Sequence, residues 1–185
     1  LVSSSFDRLI TVDPHLHRYP ALSALYTIPT NTLHAAPLLA DWIAANVDSP
    51  LIIGPDEESE QWVSAIAARI GAPNAVLRKV RHGDRDVDIA LPDLSEWRGC
   101  QPVLADDIVS SGHTLIEAAR QLPLQGFARP VVAVVHGIFA EESFQRLAPL
   151  CDRIVSSDAV PHDSNAVGLA SIIAEAIASA AGDDG

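Results

Sequence analysis

The sequence predicts an α/β domain with a mainly parallel sheet flanked by helices. Short apolar runs alternate along the chain with segments whose apolar residues recur at helical spacing. The apolar runs, such as 51–54 and 130–136, are nearly continuous, which is typical of parallel strands buried on both faces. Polar side chains follow several of these runs, and ligands of such sheets bind beyond the carboxyl ends of the strands.

Each element follows from a local pattern. Apolar runs predict strands at 8–13, 51–54, 75–80, 87–91, 102–106, 130–136 and 153–157. Helical spacing predicts helices at 36–46, 58–70, 113–122, 141–148 and 167–180. Gly71 and Pro73 end the second helix, because glycine suits the left-handed C-cap and proline cannot continue a helix.

Composition limits the possible functions. The 185 residues suffice for one domain, so 1–185 is treated as a single domain. The net charge of −12, from 24 acidic and 12 basic side chains, argues against nucleic-acid binding, which relies on Lys and Arg. The sequence contains no apolar run long enough for a membrane helix and no signal-peptide pattern, so we expect no membrane partner and a cytoplasmic location. A small phosphorylated ligand stays compatible, since backbone N–H groups and a divalent metal bind such groups.

The strongest local signal is the run 102–114, Pro-Val-Leu-Ala-Asp-Asp-Ile-Val-Ser-Ser-Gly-His-Thr. Hydroxyl and backbone N–H groups of Ser110, Ser111, Gly112 and Thr114 suit a phosphate at the positive end of the following helix. Asp106 and Asp107 would then accept hydrogen bonds from two sugar hydroxyls. The alternative is an acidic strand end followed by an ordinary Ser/Thr cap, which is common. The complete run favours a site for ribose 5-phosphate.

These residues resemble a known signature. The run 102–114 is similar to the phosphoribosyl-diphosphate signature shared by phosphoribosyltransferases and ribose-phosphate pyrophosphokinases. Four other segments resemble the pyrophosphokinases alone and come in family order. They are the strand 6–15 with its Asp-Pro-His ending, the Pro-Asp ending of 53–56, the basic segment 77–81 and the His-Gly-Ile-Phe segment 136–139.

The resemblance implies a type I phosphoribosyltransferase-like domain that corresponds to the C-terminal half of a longer synthetase. The sequence contains no methionine, and we expect the N-terminal half to be absent from it. The implied reaction transfers the diphosphoryl group of MgATP to the C1 hydroxyl of ribose 5-phosphate. ATP, ribose 5-phosphate and Mg²⁺ are the implied ligands, and a homo-oligomer is the implied assembly.

The resemblance also implies residue roles. His15 and Asp56 would bind metal, with His17 as the alternative to His15, and Lys79 and Arg81 would be the catalytic cations. The sugar phosphate would be bound by the signature residues Asp106, Asp107, Ser110, Ser111, Gly112, His113 and Thr114. Without the resemblance, His15 would be read as a turn residue, and Lys79 and Arg81 as part of a solvated strand edge.

Several residues depart from the family pattern. The family has a Gly-Gly turn after Pro-Asp, where this sequence has Glu57-Glu58-Ser59. It has Asp where Ser110 stands and Gly where His113 stands. These departures indicate a divergent branch and leave two other functions open. One is a phosphoribosyltransferase that consumes the activated sugar, and the other is a non-catalytic regulatory paralogue that binds phosphoribosyl ligands.

Overall fold

The computed structural model describes residues 1–16, 19–82 and 86–183. The chain divides into two compact units, one formed by Leu1–Ala35 with Gly168–Gly185 and the other by Ala36–Val167. Within the described ranges, no helix is both long and apolar enough to cross a membrane.

The elements alternate along the chain as expected. The strands are β1 Leu9–Val12, β2 Thr30–Leu33, β3 Pro50–Gly54, β4 Asn74–Val76, β5 Arg78–His82, β6 Asp86–Ala90, β7 Gln101–Val109, β8 Val131–Gly137, β9 Arg153–Ser157 and β10 Asn165–Val167. The α-helices are α1 Val2–Ser5, α2 Ala36–Asn46, α3 Glu60–Ile70, α4 His113–Leu124, α5 Ser143–Leu147 and α6 Ala170–Asp183. Short 3-10 helices cover Leu22–Ala24, Glu57–Ser59, Ser95–Trp97 and Ala148–Leu150.

The smaller unit contains a two-stranded parallel sheet. β1 pairs with β2, a strand that the sequence did not predict, with Leu9 opposite Thr30. The buried Asp13 follows β1 in a left-handed conformation, at φ 37°. Its carboxylate accepts a 2.7 Å hydrogen bond from the Ala35 N–H and lies 2.9 Å from Nδ1 of His34. Asp13 therefore joins the end of β1 to the segment that follows β2.

The larger unit is built on a six-stranded sheet in the order β10-β9-β8-β7-β3-β4, and all of its pairs are parallel. Leu51, Leu104 and Val132 share one buried cluster with Leu115 and Leu122 of α4, so α4 covers one face. The alternate strand residues are buried as well, and α2 and α3 contact the sheet through β8 and β3. Because successive strand side chains point to opposite faces, α2 and α3 cover the other face. The mainly parallel sheet between helices is confirmed.

The strand order places a topological switch between β3 and β7. From β3 the chain passes through α3 to β4 at one edge of the sheet, and it later returns to the other side of β3 as β7. Loops that leave the carboxyl ends of two such strands diverge and open a crevice where ligands of α/β sheets bind. Asp56 follows β3, while Asp106 and Asp107 lie on β7, so all three belong to this end of the sheet.

Most predicted strands match the structure to within one residue at each end, but two differ more. The segment 75–80 is divided at Leu77, because β4 pairs in parallel with β3 whereas β5 forms an antiparallel hairpin with β6. The strand predicted to end at Asp106 continues to Val109, since β8 keeps pairing beyond it as far as Gly137. The two carboxylates of β7 are thus held by the ladder and are not in a loop.

The bounds of two predicted helices also differ clearly. The helix predicted at 141–148 begins at Ser143, because Glu141 and Glu142 have left-handed φ values of 55° and 61°. The last helix begins later than expected, at Ala170, because the short strand β10 precedes it. The same helix extends to Asp183, beyond its predicted end at 180.

The central sheet should carry most of the stability of the larger unit. Leu104 is fully buried in β7, whereas Leu124, at the end of α4, is 86% exposed. We expect Leu104→Ala to lower the free energy of unfolding by about 3 kcal/mol, because it removes buried methyl groups and leaves a cavity. The matched Leu124→Ala should change it by less than about 0.5 kcal/mol. Urea unfolding followed by circular dichroism measures both, and equal losses would contradict this assignment of the core.

Candidate functional site

The junction between β7 and α4 presents unpaired backbone donors. The first hydrogen bond inside α4 runs from the Ile116 N–H to the Gly112 carbonyl at 2.8 Å. The N–H groups of His113, Thr114 and Leu115 come before it, in the first turn, where a helix has no internal acceptors for them. These groups carry the positive end of the helix dipole, which favours an anion.

Glycine is required at the helix start. Gly112 is the N-cap residue of α4 and has a left-handed φ of 66°. A Cβ atom there would lie 3.4 Å from Cβ of Ser143 and 3.7 Å from a methyl group of Val109. These are ordinary contact distances, so the left-handed backbone, rather than crowding, is what would strain a side chain here, and glycine lets the chain turn tightly into the helix.

A cavity of about 220 Å³ lies at this junction. Its lining residues belong to the end of β7 and the start of α4, and they are Asp106, Ile108, Val109, Ser110, Ser111, Gly112, His113, Thr114 and Leu115. Six of the seven sugar-phosphate residues proposed from the sequence are in this set, all but Asp107. Ile108, Val109 and Leu115 were missed, because an apolar residue in a strand or helix gives no signal of its own.

The side chains of the loop are partly ordered among themselves. Nδ1 of His113 lies 2.9 Å from the hydroxyl oxygen of Ser111, so these two side chains form a pair at the cavity. His113 is exposed, and Thr114 is half-buried beside it. The histidine that departs from the family pattern thus adds a ring N–H donor or acceptor to the loop rather than filling it.

The charged form of the Asp106 carboxyl is disfavoured by burial and by neighbouring charges. Burial raises the pKa of its carboxyl to about 8, and the charges of Asp107 and then Asp56 act in the same direction. The Asp107 N–H donates a 2.9 Å hydrogen bond to the Asp106 side chain and opposes this rise. The neutral form of the Asp106 carboxyl is therefore favoured, and in that form it can donate a hydrogen bond as well as accept one.

The loop after β3 is closed by its own hydrogen bonds. The Asp56 side chain accepts from the Ser59 N–H, and the Ser59 hydroxyl donates to the Asp56 carbonyl at 2.6 Å. The Asp56 N–H also donates to that hydroxyl, at 3.4 Å. This capping box engages two backbone N–H groups that an anion-binding turn would offer to a ligand. Glu57 follows directly, so this loop differs from the one at Gly112 in both donors and charge.

The predicted catalytic cations and the predicted metal-binding histidine lie on β5 and in the smaller unit. Lys79 and Arg81 lie on β5, opposite Ile89 and Val87 of β6, and their side chains are outside the described part of the structure. His15 is an exposed residue of the smaller unit, two residues beyond Asp13. The alternative, His17, lies outside the described residues.

The acidic end of the sheet fits a magnesium ion that arrives with a phosphorylated substrate. Among the described residues, no three His, Cys, Asp or Glu side chains are grouped as in a metal site made by protein alone. Asp56 and Asp106 would instead supply oxygen ligands, and the charge of Asp56 adds to the rise in the pKa of Asp106 that burial mainly causes. Mg²⁺ typically takes one or two carboxylates and completes its shell with water and substrate phosphates.

A second cavity, of about 430 Å³, lies at the β4 edge of the same unit. Trp97 and Arg78 line it together with Glu57, Glu60, Asp93 and other residues. Asn74 and Ser64 in its wall are hydrogen-bonded to each other at 2.7 Å. Apart from Glu57, which follows Asp56, its lining residues come from α3 and the segment 74–97 rather than from β7 or α4, so the junction at Gly112 remains the better candidate site.

Comparison with known proteins agrees with this geometry. The family model of the phosphoribosyl transferase domain matches residues 22–144, which include the β7–α4 junction. The chain belongs to the phosphoribosyl transferase family. The match covers the part of the chain that forms β3, β7 and α4, the elements around the candidate site.

Curated relatives identify the branch of this family. The chain is 31% identical to a ribose-phosphate pyrophosphokinase of Methanopyrus kandleri over 184 residues, covering 98% of this chain and 62% of the relative. It is 29% identical over 197 residues to the enzyme of the same name from Bradyrhizobium diazoefficiens, covering 60% of that protein. The predicted membership of the ribose-phosphate pyrophosphokinase family is confirmed. The chain spans about 60% of the length of the curated relatives it matches.

Solved structures share the fold. A phosphoribosylpyrophosphate synthetase from Mycobacterium smegmatis superposes with a TM-score of 0.78 at 21% identity, covering 98% of this chain and 61% of that one. An adenine phosphoribosyltransferase from Thermoanaerobacter pseudethanolicus has a TM-score of 0.56 at 17% identity, covering 66% of this chain and 76% of that one. The type I phosphoribosyltransferase-like fold is confirmed.

The raised pKa of Asp106 predicts a pH-dependent stability. The carboxyl titrates near 3.8 when unfolded and at about 8 when folded, so the folded state binds the extra proton between these values. The free energy of unfolding should therefore fall as pH rises from about 4 to 8. Asp106→Asn removes this contribution, so we expect the variant to gain stability relative to the wild type as pH rises. Urea unfolding at several pH values measures the difference.

Leu124→Ala, at the exposed end of α4, provides the control, because it removes no titratable group. Its difference in stability from the wild type should not vary with pH over the same range. A stability difference between Asp106→Asn and the wild type that does not vary from pH 5 to 8 would contradict the buried, repelled carboxyl.

Proposed function

We propose that the protein acts as a ribose-phosphate diphosphokinase. In this reaction the C1 hydroxyl of ribose 5-phosphate attacks the β-phosphorus of MgATP, the bond from that phosphorus to the α-phosphate oxygen breaks, and AMP leaves. The product is phosphoribosyl diphosphate, and the hydroxyl proton is released. The observation that carries the proposal is the junction at Gly112, where free helix N–H groups adjoin two carboxylates, in a chain whose curated relatives are pyrophosphokinases along nearly its whole length.

The sugar phosphate is proposed to bind across this junction. Its phosphate would accept hydrogen bonds from the N–H groups of the first turn of α4 and from the hydroxyls of Ser110, Ser111 and Thr114. His113 would add a ring donor. Asp106 and Asp107 would bind the two ring hydroxyls, and the neutral Asp106 can both donate and accept there.

The chemical step needs charge neutralisation and alignment rather than a side-chain nucleophile. We assign Lys79 and Arg81, on β5, to stabilise the charge that develops on the transferred diphosphoryl group. Asp56 is proposed to bind one magnesium ion near the sugar, and His15 is proposed to contact a different metal ion or the nucleotide phosphates. When bound, Mg²⁺ supplies positive charge to the phosphates of ATP. Several further points stay predictions. They are the ligands ATP, ribose 5-phosphate and Mg²⁺, the homo-oligomeric assembly, the cytoplasmic location and the assignment to a C-terminal half.

One observation favours a second candidate function. The loop after β3 is closed by the Asp56–Ser59 capping box and is followed by Glu57, so its backbone offers fewer donors to a diphosphate. The sugar-phosphate loop at Gly112 would still bind phosphoribosyl ligands, but the closed loop at Asp56–Ser59 would not support diphosphoryl transfer. Such a protein would act as a non-catalytic regulatory paralogue. For a phosphoribosyltransferase that consumes the activated sugar, we find no such specific support.

AMP formation tests the proposal. The full-length gene product is incubated with MgATP and ribose 5-phosphate, and AMP is quantified by chromatography. We expect AMP only when both substrates are present. Lys79→Ala and Arg81→Ala should each lower kcat by roughly 10²–10³-fold, the cost of removing one preorganised transition-state donor. The KM for ribose 5-phosphate should change much less, because the sugar is bound elsewhere.

Arg98→Ala is the control variant, since this arginine lies on the separate segment that follows the hairpin. It should keep kcat near that of the wild type. Binding of ribose 5-phosphate without AMP formation by folded wild-type protein would contradict the kinase proposal and support the regulatory function. Near-normal kcat in a folded Lys79→Ala, Arg81→Ala double variant would show that the hairpin cations are not catalytic.

A further inference from the structure

The segment after β8 holds the first half of the β7–α4 junction. The N–H groups of Ile138 and Phe139 both donate to the Val109 carbonyl, each at 3.0 Å. Two donors on one carbonyl fix the orientation of the peptide between Val109 and Ser110. The junction is therefore anchored from a part of the chain about thirty residues away, and not by its own sequence neighbours alone.

The next peptide is anchored by a side chain. The hydroxyl of Ser143, the first residue of α5, donates a 2.8 Å hydrogen bond to the Ser110 carbonyl. Ser143 is completely buried, although it is polar. Its Cβ atom also lies 3.4 Å from the position that a Cβ of Gly112 would take, so Ser143 packs directly beneath the turn.

These anchors determine where the donors of the junction point. In a planar trans peptide the carbonyl and the following N–H point in opposite directions. Because Ser143 binds the Ser110 carbonyl, the N–H of Ser111 is directed away from Ser143. Ser111 lines the cavity at the start of α4. The bond from Ser143 thus helps to fix the orientation of a backbone donor beside the cavity.

The anchoring segment is itself held in an unfavourable conformation. Phe139, Glu141 and Glu142 all have left-handed backbones, at φ values of 47°, 55° and 61°. Such conformations are disfavoured for residues with a Cβ and persist where the surroundings impose them. Phe139 packs against the rings of Phe144 and His162, with centroid distances of 5.2 and 4.6 Å. These contacts fix the start of α5 and hence the position of Ser143.

We propose that Ser143 is a positioning residue for the phosphate of the sugar substrate, acting through the peptide between Ser110 and Ser111. The proposal rests on the proposed function, because it concerns the same site. Loss of the hydroxyl leaves the Ser110 carbonyl without this buried donor. Because the position of Ser143 is buried, a carbonyl that still faced it would lack a donor, and the peptide would gain by turning its carbonyl toward solvent. That rotation carries the Ser111 N–H away from the phosphate.

The chain offers a matched control. Ser157 is also completely buried and also donates to a backbone carbonyl, that of Val135, at 2.7 Å. Its bond lies between β9 and β8 and does not involve the junction. Ser143→Ala and Ser157→Ala therefore both remove a buried hydroxyl that donates to a backbone carbonyl. Ser157→Ala also removes the 3.2 Å bond from the Ala159 N–H, yet only Ser143→Ala should affect the ligand.

Calorimetric titration with ribose 5-phosphate, and with inorganic phosphate as a competitor, tests the proposal. We expect Ser143→Ala to weaken both ligands by the same factor, roughly tenfold, the size of one hydrogen bond to a charged group. Ser157→Ala should leave both affinities within about twofold of the wild type, since distant sites act independently. Ser143→Cys, which retains a weak donor, should lie between the wild type and Ser143→Ala. Urea unfolding of each variant establishes that it is folded.

The outcomes separate this inference from the proposed function. Wild-type protein that binds neither ligand would overturn the sugar-phosphate site and the inference with it. Binding by the wild type that Ser143→Ala and Ser143→Cys leave unchanged would overturn the role of Ser143 alone. Equal losses in Ser143→Ala and Ser157→Ala would also overturn it, because the effect would then follow general destabilisation.

Discussion

The candidate phosphate site depends on one constraint, the orientation of the peptides between Val109 and Gly112. At this point the chain leaves a buried parallel strand and enters a helix, and the tight turn requires the left-handed conformation of Gly112. The carbonyls of Val109 and Ser110 are bound from one side by the segment that begins at Ile138. The N–H groups that follow them are therefore directed to the other side, at the positive end of α4.

At the carboxyl end of the sheet, one group of atoms favours a bound negative charge and another disfavours it. The start of α4 favours a negative charge, while burial, together with the charges of Asp107 and Asp56, raises the pKa of Asp106 and disfavours its charged form. A ligand with a phosphate at one end and hydroxyl donors at the other meets both conditions, because hydroxyls bind carboxylates without adding charge. A ligand that carries a divalent cation would relieve the repulsion further. By contrast, the closed loop at Asp56–Ser59 offers little to a bare diphosphate, which is why the two proposed functions differ mainly at this loop.

The sequence predicted the elements whose signals are local. α2 begins and ends at the predicted residues, and the left-handed Gly71 ends α3 as expected. The continuation of β7 to Val109 was missed because it depends on pairing with β8, and the division at Leu77 because it depends on a change of partner strand. In the site, the Gly-containing loop was evident from its composition. Ser143 was not, since a serine distant in sequence acquires its meaning only when the fold brings its hydroxyl to the Ser110 carbonyl.

The most direct test of the central claim is an amide NMR titration of the isotopically labelled protein. Inorganic phosphate should shift the amide resonances of residues 111–115, at the start of α4. Ribose 5-phosphate should shift the same resonances and, in addition, those of Asp106 and Asp107, where its hydroxyls are proposed to bind. Shifts confined to the cavity around Trp97, or no shifts in residues 106–115 at saturating ligand, would contradict a phosphoribosyl site at the β7–α4 junction.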